Sequence, residues 1–216
     1  MSGTPGAPTM GAAILSGGRA SRYGGSPKGL LEIGPGVSIM GNQIKHLRAS
    51  GLAEMVIVAN DAGPYRHLGL PLISDLRSDC GPLGGVEAAL TYYATRCDAV
   101  LLLPCDLPGI TAREITRLRE ASIASGAPLV TCVTESSSVQ PLCAIVHRGV
   151  LPAVSAALDA GRLSVRRLWH QLGALEVPFV DATPFFNVNS PEDLTTWLTR
   201  SDHRGATGPE CSGEHA

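Results

Sequence analysis

The chain has 216 residues, 44% of them apolar, 17% charged and 4% aromatic, which suits one sizeable core in a single domain. Seventeen Lys and Arg against nineteen Asp and Glu give a formal charge of −2. No overall basic field therefore gathers nucleic acid or anionic lipid, and too few aromatics are present to stack single-stranded bases.

No run of about 18 apolar residues is present, so no transmembrane helix is expected. Residues 1–10 have neither a basic n-region nor an apolar h-region, so they read as a disordered leader, not a secretory signal. Ala12–Leu15 is a short apolar strand that runs into a glycine loop. Gly29–Ile33 reads as extended or turn, and Gly34-Pro35-Gly36 as a turn. Ser38 is placed to cap a helix carrying Ile39, Met40, Gln43, Ile44 and Leu47, which Gly51 ends. Met55–Asn60 is a buried parallel strand ending in a polar residue. Tyr65–Gly69 is a short helix or turn, and Leu70–Asp75 a short strand whose proline favours its start or a sheet edge. Gly84-Gly85 opens a helix with Val86, Ala89, Leu90 and Tyr93.

Ala99–Asp106 is the most apolar strand and has the character of a sheet centre. Thr111 and Glu114 form a capping box for a helix that ends near Gly126. Two strands follow, Pro128–Thr134 and Gln140–Val146, whose short connection favours antiparallel pairing. Val150–Ala160 and Ser164–Leu172 are helical, and Leu175–Val180 is a strand. Phe185–Asn189 is extended, Ser190 and Pro191 open a last helix to about Thr199, and 201–216 reads as a frayed tail. Alternating strands and helices over the first 130 residues define an α/β fold with a mostly parallel sheet, helices on both faces and an antiparallel addition in the C-terminal half.

In such sheets a ligand sits at the carboxyl ends of the strands. The polar residues there are Ser16, Asn60, Asp75 and Asp106. The loop after Leu15 holds Gly17, Gly18, Gly24 and Gly25 together with Arg19, Arg22 and Lys28. Glycines bring backbone N–H groups close to a phosphate chain, and the cations neutralise it. A glycine-rich surface turn would look the same in isolation, and Asp106 alone would equally be a strand-end turn residue. The loop is not a Walker A motif, because Lys28 lies between Pro27 and Gly29, and it contains no G-x-G-x-x-G. The cysteines (Cys80, Cys97, Cys105, Cys132, Cys143 and Cys211) contain no C-x-x-C pair, and the histidines form no ligand-spaced set. The thiols are expected to be free and the compartment cytoplasmic; Cys105 reads as a packed thiol, not a nucleophile.

Several segments, taken together and in order, carry a resemblance. They are Leu15-Ser16-Gly17-Gly18, Arg22-Tyr23-Gly24-Gly25 and Lys28; Val58-Ala59-Asn60; Ile73-Ser74-Asp75; Gly81-Pro82-Leu83-Gly84-Gly85; Leu103–Pro108; Gln140-Pro141-Leu142; and Phe186–Leu194. Over roughly Gly11–Arg200 the chain resembles nucleotidyltransferases with a Rossmann-like, nucleotide-diphospho-sugar transferase type of fold, and among them the molybdenum cofactor guanylyltransferases. The resemblance implies transfer of GMP from magnesium-bound GTP to the phosphate of molybdopterin, with release of pyrophosphate. It implies a single domain over 11–200, with a nucleotide half at about 11–110 and an acceptor half at about 111–200.

By the same resemblance Leu15, Ser16, Gly17, Gly18, Lys28, Asn60, Asp75 and Asp106 bind the nucleotide. Arg22, Lys28 and Asp106 are catalytic, and Asp106 holds Mg2+, a hard cation that prefers carboxylate and phosphate oxygens. Asn187 and Asn189 match residues near the acceptor. They also read as a turn before the Ser190 cap, and Gln140 either faces the pterin or ends its loop. Ser16 departs from the family's usual alanine. Arg162, Arg166 and Arg167 form a basic cluster that would suit an anionic pterin phosphate or remain a solvated face. Nucleic acid and membrane are not expected as partners; cofactor-biosynthesis proteins or recipient molybdoenzymes are, and the chain is expected to be a monomer or weak homo-oligomer. Two alternatives stand beside this reading. One is a related enzyme using CTP or a sugar or polyol phosphate acceptor; the other is a nucleotide-binding regulator with a decayed site.

Overall fold

In a computed structural model of the chain, residues 8–17, 27–134 and 138–205 are described, the side chains of 201–205 excepted. The element order is β1 (Met10–Leu15), β2 (Glu32–Gly34), β3 (Val37–Ser38), α1 (Ile39–Ala49), β4 (Met55–Val58), β5 (Leu72–Ile73), α2 (Gly81–Tyr93), β6 (Ala99–Pro104), α3 (Ala112–Ser125), β7 (Leu129–Thr134), β8 (Val139–His147), α4 (Leu151–Asp159), α5 (Val165–Gln171), β9 (Leu175–Phe179) and α6 (Pro191–Gly205).

Seven strands form one sheet in the order β5-β4-β1-β6-β8-β7-β9, and β2 and β3 form a separate hairpin. β1 pairs in parallel with β4 and β6, β5 with β4, and β9 with β7. β8 runs antiparallel to both β6 and β7 and is the antiparallel addition expected from the short 134–140 connection. β6, the most apolar strand, lies at the centre.

Alternation along the strands divides the core into two layers. Ala12, Ile14, Ile57, Leu101 and Leu103 face α1 and α3 through Met40, Ile44, Leu47, Ile115 and Leu118. Ala13, Val56, Val58, Val100 and Leu102 face α2, α4 and α5 through Val86, Leu90, Val154, Leu168 and Trp169. Gly11 shows why a strand start is glycine here. A Cβ at that position would lie 2.4 Å from the Tyr93 ring, and the Tyr93 hydroxyl donates to the Ala12 carbonyl at 3.1 Å, so α2 is pinned directly onto β1.

The expected caps are present. The Ser38 side chain accepts from Gly41 N, Thr111 and Glu114 form the capping box, and Gly126 closes α3 in the left-handed conformation. Several expectations are corrected. The leader does not extend to residue 10: Met10 opens β1, and Thr9 N and Oγ1 donate to Asp98 Oδ2 at 3.0 and 2.9 Å. α2 begins at Gly81, not at Gly84, because Pro82 starts the helix with its fixed φ. Gly29–Ile33 divides between the two readings given for it, a 3-10 turn at Lys28–Leu30 and then β2, whereas Phe185, expected to be extended, ends a 3-10 turn over Thr183–Phe185. α6 continues beyond Thr199 to Gly205. No helix among the described residues is long and apolar enough to cross a membrane.

Candidate active site

β1 and β6 are neighbours, but the chain leaves them in opposite directions across the sheet. After β1 it passes to β4 and β5 on one side, then crosses to β6 on the other. The crevice at the carboxyl ends of β1 and β6 is the topological switch point, where such sheets bind ligands. A cleft of about 480 Å³ opens there, lined by Leu15, Ser16, Gly17, Lys28, Val58, Tyr65, Asp75, Gly81, Pro82, Gly85, Pro104, Cys105, Asp106 and Leu142.

Asp106 follows β6. Its Oδ1 is buried and has no hydrogen-bond partner among the described residues. Burial pushes its carboxyl above the usual range, and Lys28 partly offsets that. A buried carboxylate oxygen facing a cleft without a donor has the chemistry to ligate a hard cation. The turn that carries Asp106 is fixed from two sides. Gln43 of α1, fully buried, donates through Nε2 to the carbonyls of Pro104 at 2.9 Å and Leu107 at 3.1 Å. Val188 N donates to the Asp106 carbonyl at 2.9 Å.

The same contact brings the C-terminal segment to the cleft. Lys28 Nζ donates to Asn189 Oδ1 at 2.7 Å. Asn189 is held in turn by Asp193 Oδ2, which accepts from the backbone N–H of Asn189 and of Ser190 at 2.9 Å each. The Asn189 N–H holds the Asp193 carboxyl below its ordinary value. Lys28, Asp106 and Asn189, separated by up to 161 residues, thus form one cluster.

On the other wall, Asn60 and Asp75 bind reciprocally. Asn60 Nδ2 donates to Asp75 Oδ2, and Asp75 N donates to Asn60 Oδ1, both at 2.9 Å. Asp75 packs against the first turn of α2, where a Cβ on Gly85 would lie 3.5 Å from its Oδ1. The Ser16 and Tyr65 hydroxyls hydrogen-bond each other across the cleft floor, and burial pushes the Tyr65 hydroxyl up. Cys105 is raised to about 11, first by burial and then by Asp106, so it stays a protonated, packed thiol.

Of the residues singled out from sequence, Leu15, Ser16, Gly17, Lys28, Asp75 and Asp106 line the cleft. Asn60 stands behind Asp75, and Asn189 behind Lys28. Asn187 is half-buried just before the buried Val188. Gln140 is not among the lining residues; Leu142, further along β8, is. Gly18, Arg19 and Arg22 lie outside the described residues. Arg162, Arg166 and Arg167 are exposed and do not line the cleft. Tyr65 and Gln43 carry no motif. The one signal for Gln43 is a polar residue on the apolar face of α1.

A mostly parallel sheet with Gly17, a lysine and a buried carboxylate converging at its switch point defines the class: a nucleotide-binding α/β protein. The description "MobA-like NTP transferase domain" matches residues 12–175. A molybdenum cofactor guanylyltransferase of Serratia proteamaculans is 32% identical over 187 residues, 85% of this chain and 91% of the relative. Among solved structures, the molybdopterin-guanine dinucleotide biosynthesis protein A of Archaeoglobus fulgidus superposes with a TM-score of 0.68 at 19% identity, covering 90% of this chain and 100% of that one. A Mycobacterium tuberculosis protein crystallised in complex with manganese gives 0.66 at 17% identity, covering 88% and 98%. The chain belongs to the MobA-like NTP transferase family and is a nucleotidyltransferase.

Proposed function

We propose that the protein transfers GMP from GTP to the terminal phosphate of molybdopterin, releasing pyrophosphate and forming molybdopterin guanine dinucleotide. The observation that carries this is the buried, unpartnered Asp106 Oδ1 beside Lys28 at the switch point. The names of the relatives supply the guanylyl group and the pterin acceptor.

Asp106 fits a divalent cation, Mg2+ in the first instance, on its own chemistry: a hard oxygen donor, buried, without a competing protein donor. When bound, the ion supplies charge neutralisation on the triphosphate and Lewis-acid polarisation of the α-phosphoryl group. Lys28 supplies a second positive charge, which leaves Asn189 for a phosphate oxygen. The backbone after Leu15, with Gly17, Gly18 and Arg22, holds the phosphate chain. Asn60 and Asp75 hold the nucleoside end, and a carboxylate there accepts from guanine N1–H and N2–H, which cytosine lacks. The attacking phosphate is already ionised, so no general base is needed; the residues position reactants and stabilise charge. Asn187, Asn189 and Gln140 belong to the acceptor half, about 111–200, and the nucleotide half is about 11–110. Free thiols at Cys80, Cys97, Cys105, Cys132 and Cys143 fit work in the cytoplasm.

The test is purified protein with molybdopterin, Mg2+ and either GTP or CTP, following pyrophosphate and the dinucleotide product. GTP and Mg2+ together should support turnover. A preference for CTP would overturn the choice of base, and turnover with a sugar or polyol phosphate but not with the pterin would overturn the acceptor.

A further inference from the structure

The loop between β5 and α2 contributes to one wall of the cleft. It leaves the sheet at Asp75, turns through Asp79 (φ 56°) and Gly81 (φ 57°), and enters the first turn of α2, where Gly81, Pro82 and Gly85 line the cleft. A left-handed aspartate persists only where its surroundings hold it.

Arg77, earlier in the same loop, ties the loop to two helices. Its Nε donates to Glu87 Oε2 at 2.9 Å and its Nη2 to Glu87 Oε1 at 3.0 Å, while Nη1 donates to Asp159 Oδ1 at 2.5 Å. Glu87 lies within α2, is 3% exposed, and also accepts from Ser155 Oγ at 2.7 Å. Ser155 and Asp159 belong to α4, so the loop, α2 and α4 meet in one network. A two-point guanidinium–carboxylate fork fixes orientation as well as distance. The buried carboxylate also makes Arg77 hard to dispense with, because an unpaired Glu87 would be strongly disfavoured. Arg77 is two residues from Asp75, and Glu87 is two from Gly85. Neither lines the cleft.

We propose that Arg77 and Glu87 are positioning residues: their fork sets Asp75 and the first turn of α2 at the spacing that admits the nucleoside end of the triphosphate. The inference rests on the nucleotide reading of the cleft given above. Asp106 follows β6, on the other side of β1 from this loop, and Lys28 lies with it, so the fork governs nucleotide affinity and choice, not the transfer step.

The test uses the full chain with Mg2+ and, as probes, GTP and CTP. Dissociation constants are measured for Arg77→Ala, Arg77→Lys and the double variant Arg77→Ala/Glu87→Gln, with Tm recorded without nucleotide. The double variant leaves no buried carboxylate unpaired, so it separates loss of the fork from the cost of a lone buried charge. We expect the GTP dissociation constant and KM to rise about tenfold and the GTP over CTP ratio to narrow, with kcat within about threefold of the parent. Arg77→Lys should not rescue, since an ammonium cannot form the fork. A lowered Tm in the double variant with unchanged GTP affinity and ratio would overturn the inference and leave a structural ion pair. If Asp75→Asn weakens GTP binding and Arg77→Ala does not, the positioning role fails while the nucleotide reading stands. If the parent binds neither GTP nor CTP, the nucleotide reading fails and the inference with it.

Discussion

Asp106 illustrates how one side chain can be poor for stability and still suit the proposed chemistry. Its buried Oδ1 has no donor, so burial penalises the charge and raises its carboxyl above the usual range, and replacing it by an amide removes that charge-burial cost. Asp106→Asn should therefore leave Tm unchanged or raise it, while Mg2+-dependent transfer falls by at least about 100-fold, as expected for a lost charge stabiliser; calorimetry and a pyrophosphate assay check both halves. Asp98 behaves in the opposite way. The Thr9 hydroxyl and N–H hold its carboxyl below the ordinary 3.8, so its contribution is present above that value and is lost as pH falls through the lower folded value. The Tm difference between the parent and Asp98→Asn should be largest near neutral pH and shrink as pH is lowered below about 4. A difference constant with pH would rule out the carboxylate as its source.

At the scale of elements, α1 does more than cover the sheet. Gln43 reaches under β6 and satisfies the Pro104 and Leu107 carbonyls on either side of Asp106. Gln43→Leu keeps the apolar packing but leaves both carbonyls without that donor, which should cost about 1–3 kcal/mol, or several degrees in Tm for a chain of this length. It should also lower kcat more than it raises KM for GTP, because the turn it holds carries the proposed metal ligand and not the nucleoside wall. The element pattern itself is largely legible. Ser38, the Thr111–Glu114 box and Gly126 mark helix ends by local hydrogen bonding that needs no tertiary context. The start of α2 is not legible in the same way. Gly84-Gly85 reads as the helix opening, whereas α2 already starts at Gly81 with Pro82 in its first turn, and the two glycines lie inside it where the Asp75 carboxylate packs close.

For the whole molecule, the two layers of core hold β1 and β6 side by side, and the cleft depends on that adjacency. A ligand that binds only the folded cleft stabilises the chain by about 2.7 kcal/mol at 100 times its dissociation constant. GTP with Mg2+ should therefore raise Tm by several degrees, and GTP with a chelator by much less; equal shifts would remove the metal from nucleotide binding.

The sequence by itself determined the alternation of strands and helices, the central place of Ala99–Pro104 and the polar residues that close each strand, because hydrophobic period and turn chemistry are local. Lys28 in the glycine loop and Asn60, Asp75 and Asp106 at strand ends are candidates by position alone; family resemblance gave them roles and added Gln140, Asn187 and Asn189. Only the tertiary structure decided which of them meet. The Lys28–Asn189 contact, the Asn60–Asp75 pair, the Ser16–Tyr65 bond, the Gln43 support and the Arg77–Glu87 fork all join residues on different elements. The pairing of β1 with β4 and of β4 with β5 joins some of them, the crossover from one side of β1 to the other joins the rest, and no periodicity along the chain encodes those distances.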